Sequence, residues 1–194
     1  ICYVTFISMS GWTHTIDEYY KGGYEPEHYG VKEIYDSVLE ALQANKNITD
    51  PRLKRKWIAV EILFFQMWWQ DPRTSESQKN AFRFFLKNKN IEFAGGGYVM
   101  HDEIASFFSD DINQLTLGHR WIAENFGSEH LPRHAWQIDA QGHMSSTPVL
   151  FRMMGFDSLT INRIPQYIKD RMQINKSLEF FFEGEGIVSN SLSS

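Results

Sequence analysis

Cysteine is almost missing from this chain: Cys2 stands alone among 194 residues. That excludes an internal disulfide framework and a cysteine-built zinc site. Basic charge is also short, with 19 Lys and Arg against 24 Asp and Glu and a formal net charge of −5. No positive field therefore invites nucleic acid or an anionic membrane. Long apolar runs are lacking too. Residues 1–10 are apolar, but they have neither the length of a membrane span nor the basic flank of a signal peptide. No low-complexity linker or internal repeat divides residues 1–188, and only residues 189–194 read as a disordered tail or a cut end. The first residue is Ile1 rather than Met, so the expectation is a processed or truncated piece of something longer.

Aromatic residues are abundant: six Trp, fifteen Phe and eight Tyr. Together with the length they support one sizeable core, since a domain typically runs to about 100–150 residues. Two acceptor sequons, Asn47-Ile-Thr49 and Asn175-Lys-Ser177, permit a secretory route without demonstrating one.

Strand-like and helix-like segments alternate along the chain. Residues 3–9 form a β-leaning run, and Val31, Ile34, Tyr35, Val38, Leu39 and Leu42 follow helical spacing. Residues 57–62 read as a buried strand. Ser75-Glu-Ser-Gln78 has capping-box form and opens a helix carrying Ala81, Phe82, Phe85 and Leu86. Residues 91–94 form the next strand, stopping at Gly95-Gly-Gly97. Ile112, Leu115, Ile122 and Phe126 line a helix that Gly127 ends. Residues 136–139 and 158–162 are two further strands, with a short helix over 148–154 between them. Alternation of this kind implies an α/β fold with a parallel sheet and helical crossovers. The expected form is part of a parallel β/α barrel, with an open doubly wound sheet as the alternative.

Strand ends are where such folds place their chemistry. Asp139 ends the alternating run His134-Ala-Trp-Gln-Ile-Asp139, and Gly142-His143 follow it. Arg163 stands at the end of the next strand. Asp102 and Glu103 read equally as a solvated loop pair or as charges at a helix N-terminus. Glu61 reads as a structural strand carboxylate, and Phe64, Phe65, Trp68 and Trp69 as core.

Several stretches together carry a resemblance. Thr15-Ile-Asp-Glu-Tyr-Tyr20, Ala59-Val-Glu-Ile-Leu-Phe-Phe65 with Trp68-Trp69, and Ile91-Glu-Phe-Ala-Gly-Gly-Gly-Tyr-Val-Met-His-Asp-Glu103 are three of them. Gln114-Leu-Thr-Leu-Gly-His119, Trp136-Gln-Ile-Asp-Ala-Gln-Gly-His143 and Met154-Gly-Phe156 are the others. In this order they resemble glycoside hydrolase family 38, the class II α-mannosidases, and most of all its lysosomal branch. The resemblance implies the N-terminal part of a catalytic β/α barrel, seven-stranded in the family, with retaining hydrolysis of terminal α-mannose from N-glycans. It implies Asp139 as nucleophile and metal ligand, Trp12 as a platform under the sugar, His143 as support behind the site, and Arg163 as a cation that steadies the nucleophile. It further implies one zinc ion and a lysosomal or secretory location, and leaves a homo-oligomer open for the full-length form. Nucleic-acid binding and membrane insertion are not expected.

The departures are specific. Aligned on Gly11-Trp12, the family's zinc His and Asp fall at Ile7 and Met9, and Ala140-Gln141 replace the usual Pro-Phe. An aliphatic side chain donates nothing, and a thioether suits zinc poorly among oxygens. His14 and Asp17 follow Trp12 and fit the motif poorly. Zinc binding by this chain is therefore expected to be weak. The acid/base carboxylate and the fourth ligand are expected beyond residue 194. The alternatives are an inactive homologue or fragment with a sugar-binding or structural role, mis-derived sequence over residues 1–10, or a deacetylase-like open barrel.

Overall fold

The helical spacing that begins at Val31 becomes α1 (Val31–Asn45), which buries Val31, Tyr35, Val38, Leu39 and Leu42 along one stripe. The computed structural model of the chain describes residues 30–139 and 143–182. These form two compact units, residues 30–99 with 113–132, and residues 100–112 with 133–182. Residues 1–29 lie outside the described part, so the expected first strand, Ile7, Met9 and Trp12 do too; the tail at 189–194 likewise.

In the first unit β1 (Trp57–Ala59) leads to α2 (Ile62–Gln70) and α3 (Glu76–Lys87), and then to β2 (Ile91–Phe93). The two strands pair in parallel, with Trp57 opposite Ile91 and Ala59 opposite Phe93. The strand expected over 57–62 stops at Ala59. Ile62 instead begins a helix, and Glu61 occupies its N-cap position rather than a strand. The reason lies in the loop after β2: the carbonyls of Gly97 and Tyr98 accept the amides of Ile62 and Leu63 at 2.9 and 3.1 Å. A helix leaves its first amide groups without internal partners, and this loop supplies acceptors for them.

The loop itself needs its glycines. Gly95 and Gly96 have φ of 65° and 74°, in the left-handed region open to Gly at no steric cost. The long helix α4 (Phe108–Phe126) brings Gly118 against it. A Cβ on Gly118 would collide with the Gly96 carbonyl oxygen.

Asp36 on α1 ties three helices together. Its Oδ1 accepts from Trp68 Nε1 of α2 at 2.9 Å and from Gln78 Nε2 of α3 at 2.7 Å. Lys32 adds a 2.6 Å ion pair to Oδ2. The capping box is present as the sequence implies: Ser75 Oγ accepts the Gln78 amide and Gln78 Oε1 accepts the Ser75 amide. Ser75→Ala is expected to cost about 1 kcal/mol, read as a lower denaturant midpoint with an unchanged slope.

The second unit contains β3 (His134–Gln137), α5 (Ser146–Met153), β4 (Ser158–Ile161) and α6 (Gln166–Ile174). β3 and β4 are parallel, with His134 opposite Ser158 and Gln137 opposite Ile161. His134 stitches the pair: Nδ1 lies 2.5 Å from Ser158 Oγ and Nε2 lies 2.7 Å from Thr160 Oγ1. Burial lowers its pKa. The fold is thus mixed α/β with short parallel strands. No described helix is long and apolar enough to cross a membrane.

Candidate functional site

Register decides which side chains meet at the end of the second unit's sheet. Gln137 pairs with Ile161, and two residues further along each strand come Asp139 and Arg163. Extending a parallel register by two keeps both on the same side of their strands. The two side chains do meet: Arg163 Nε donates to Asp139 Oδ1 at 2.5 Å, and Nη2 approaches the same oxygen. The Asp139 side chain keeps 20% of its exposure and that of Arg163 48%. The pair is therefore reachable by solvent.

The second unit also holds a buried polar cluster. Glu103 is buried, contrary to its reading as part of a solvated pair. Its Oε2 accepts the Met144 amide at 2.7 Å, and its Oε1 lies 3.4 Å from His143 Nδ1. Asp102, the other member of that pair, turns its Oδ1 to the amides of Ile104 and Ala105. The local chain supplies those donors, as Asp commonly does in turns. His143 thus faces a carboxylate across 3.4 Å. If Nδ1 carries the proton given to Glu103, Nε2 is a bare acceptor. That nitrogen is buried and without a hydrogen-bond partner among the described residues.

Gln137 and His101 extend the cluster. Gln137 is 1% exposed, and its Nε2 stands 3.1 Å from His101 Nε2. Asp111 Oδ2 lies 3.7 Å from that ring nitrogen and accepts from Ser106 Oγ at 3.0 Å. Burial lowers the His101 pKa and outweighs the opposing pull of Asp111, Glu103 and Asp102. Sequence reasoning passed over Gln137 and His101. The signal was the alternation itself, since Ala135 and Gln137 share the buried face of β3, and a Gln there needs polar neighbours.

Among the described residues no group of three or more His, Cys, Asp or Glu stands together as a metal ligand set. Of the expected zinc ligands, Asp139 alone lies in the described part.

Comparison with known proteins gives the lineage. The family description "Glycosyl hydrolases family 38 N-terminal domain" matches residues 10–187. The chain is 37% identical over 174 residues to a lysosomal alpha-mannosidase of Dictyostelium discoideum, covering 89% of this chain and 16% of that protein. It is 38% identical over 174 residues to the epididymis-specific alpha-mannosidase of Sus scrofa, covering 90% and 16%. Against the human lysosomal alpha-mannosidase it is 40% identical over 155 residues, covering 79% and 14%. The chain thus spans about 16% of the length of the first two relatives. In fold it is similar to an alpha-mannosidase from Enterococcus faecalis, with a TM-score of 0.52 at 16% identity, over 68% of this chain and 14% of that one. The match from residue 10 to residue 187 makes this chain a member of glycosyl hydrolase family 38, through that family's N-terminal domain.

Proposed function

We propose that this chain carries the nucleophile side of a retaining α-mannosidase centre acting on terminal α-mannose of N-glycans. The observation that carries the reading is the Asp139–Arg163 pair at adjacent strand ends, within a chain of this family. A retaining glycosidase needs one carboxylate that attacks the anomeric carbon and one carboxyl group that protonates the leaving oxygen. Asp139 fills the first role. Arg163 grips Oδ1 and leaves Oδ2 to attack C1. The C1–O bond breaks as the C1–Oδ2 bond forms, and the leaving group departs with the electron pair. Water then releases the sugar and restores the carboxylate. Trp12, outside the described residues, supplies an aromatic face for the sugar C–H groups.

In this reading residues 1–188 are the N-terminal portion of the catalytic β/α barrel. The names of the relatives favour a lysosomal or secretory location, with a homo-oligomer open for a full-length form.

The donor set does not fit zinc. Ile7 and Met9 stand where the resemblance asks for His and Asp, and Asp139 offers one oxygen beyond the one Arg163 holds. Zinc sites use four N, O or S donors, or three and a water. The same two residues favour a second reading, a sugar-binding relative without turnover.

An activated donor separates the two readings. A 5-fluoro α-mannosyl fluoride carries a leaving group that needs no protonation, so the test does not depend on an acid/base carboxylate. The expected result is one mannosyl adduct per chain, mapped by mass spectrometry to Asp139, with and without added zinc. Saturable binding without an adduct selects the sugar-binding reading. An adduct on another residue, or neither binding nor adduct, overturns both.

A further inference from the structure

Asp139 is fixed on one side by the pairing of β3 with β4. On its other side the chain is held at His143 and Met144, four and five residues further on, and what holds it there is Glu103. The Glu103 side chain is 1% exposed, and its two oxygens face the Met144 amide at 2.7 Å and His143 Nδ1 at 3.4 Å. A carboxylate that deep in the protein is costly unless donors meet it, and here the Met144 amide donates to one oxygen while a His143 ring nitrogen faces the other. Four residues of extended chain span at most about 14 Å, so whatever pins His143 and Met144 also limits where Asp139 can stand.

We propose that Glu103 is a positioning residue: it pins the chain beyond Asp139 and so holds the Asp139 carboxylate in register with Arg163. It acts through the backbone at Met144, whose amide it accepts. The proposal rests on the reading of Asp139 as nucleophile only for its catalytic consequence; the positioning itself is visible without any substrate. Carboxylates bonded to backbone amides are strong acceptors, and this one reaches forty-one residues along the chain.

The test uses the whole chain with Glu103→Ala and Glu103→Gln. Two nuclear magnetic resonance signals report position directly: the hydrogen-exchange rate of the Met144 amide and the Arg163 Nε–H resonance. In Glu103→Ala the Met144 amide is expected to exchange at least about tenfold faster, the loss of one charge-assisted bond, and the Arg163 signal to move or broaden. With the α-mannosyl fluoride, the maximal labelling rate is expected to fall about 100-fold, as small misplacements of a reacting group do, while the half-saturation concentration stays put. Glu103→Gln keeps an oxygen for the Met144 amide and should restore both signals and most of the rate. Unchanged Met144 and Arg163 signals in Glu103→Ala overturn the proposal, as does a rate loss that Gln fails to rescue. If the unmodified chain takes no label, the reading of Asp139 falls, and the two resonance signals still decide the role of Glu103. Should Glu103→Ala fail to fold, Glu103→Asp keeps the charge, shortens the reach by one methylene and carries the same readouts.

Discussion

Asp139→Asn is expected to slow formation of the mannosyl adduct by roughly 10⁴-fold, equivalent to about 5.5 kcal/mol of transition-state stabilisation. The substitution isolates nucleophilicity from packing. Asn has the shape of Asp and keeps a carbonyl oxygen that Arg163 can bond, so the contact at Oδ1 survives in neutral form. What disappears is the second anionic oxygen, the one left to attack carbon. The pair is partly solvated, and exposed ion pairs contribute about 0–1 kcal/mol to stability. Thermal unfolding should therefore barely move while labelling collapses. Arg163→Ala makes the contrast: it removes orientation and keeps the nucleophile, so labelling should slow by less than in Asp139→Asn. If Asp139→Asn labels at the unmodified rate, the carboxylate at the end of β3 is not the nucleophile.

Much of the site was legible because a strand writes its geometry into the sequence with a period of two. His134-Ala-Trp-Gln-Ile-Asp139 announces a strand followed by a carboxylate, although the strand expected over 136–139 lies over His134–Gln137 and ends two residues before Asp139. The position of Arg163, two residues past β4, then follows from the register of a parallel pair. α1 was equally legible, since its apolar residues repeat at helical spacing and occupy the buried stripe. So was the start of α3, where Ser75 and Gln78 spell out a capping box that forms.

Failures arose where local sequence carries no period. Residues 57–65 are almost continuously apolar, and such a run does not distinguish a strand from a buried helix. Partners from far along the chain decided it: the carbonyls of Gly97 and Tyr98 cap the helix at Ile62 and Leu63. α6 was not read from the sequence, and none of its residues is buried. Glu103 read equally as half of a solvated loop pair or as a charge at a helix N-terminus. Its burial is explained by an amide forty-one residues away, which no inspection of Asp102-Glu103 could reveal. Trp12, Ile7 and Met9 lie outside the described residues, so the resemblance alone speaks for the sugar platform and the altered zinc positions.

Phe65→Ala is expected to destabilise the chain by about 3–5 kcal/mol, which is a large share of the 5–15 kcal/mol typical of a folded protein. Phe65 is wholly buried. It stacks on Phe82 at 4.5 Å between ring centroids and meets Trp121 edge-on at 5.5 Å. Tyr35, Trp68, Trp69, Phe93 and Phe126 complete the surround at 5.7 to 5.9 Å. These rings come from α1, α2, α3, β2 and α4, so truncation opens a hole where five elements converge. Rings of this size cannot collapse into the space without leaving their rotamers, which keeps the loss near the upper end. At a urea slope of about 2 kcal/mol per molar, the midpoint should fall by about 2 M. Phe84→Ala is the matched control: Phe84 sits on α3 but is 55% exposed, and surface truncations usually stay within about 0.5 kcal/mol. Equal losses at the two positions would mean that the aromatic residues around Phe65 do not form the core of the first unit.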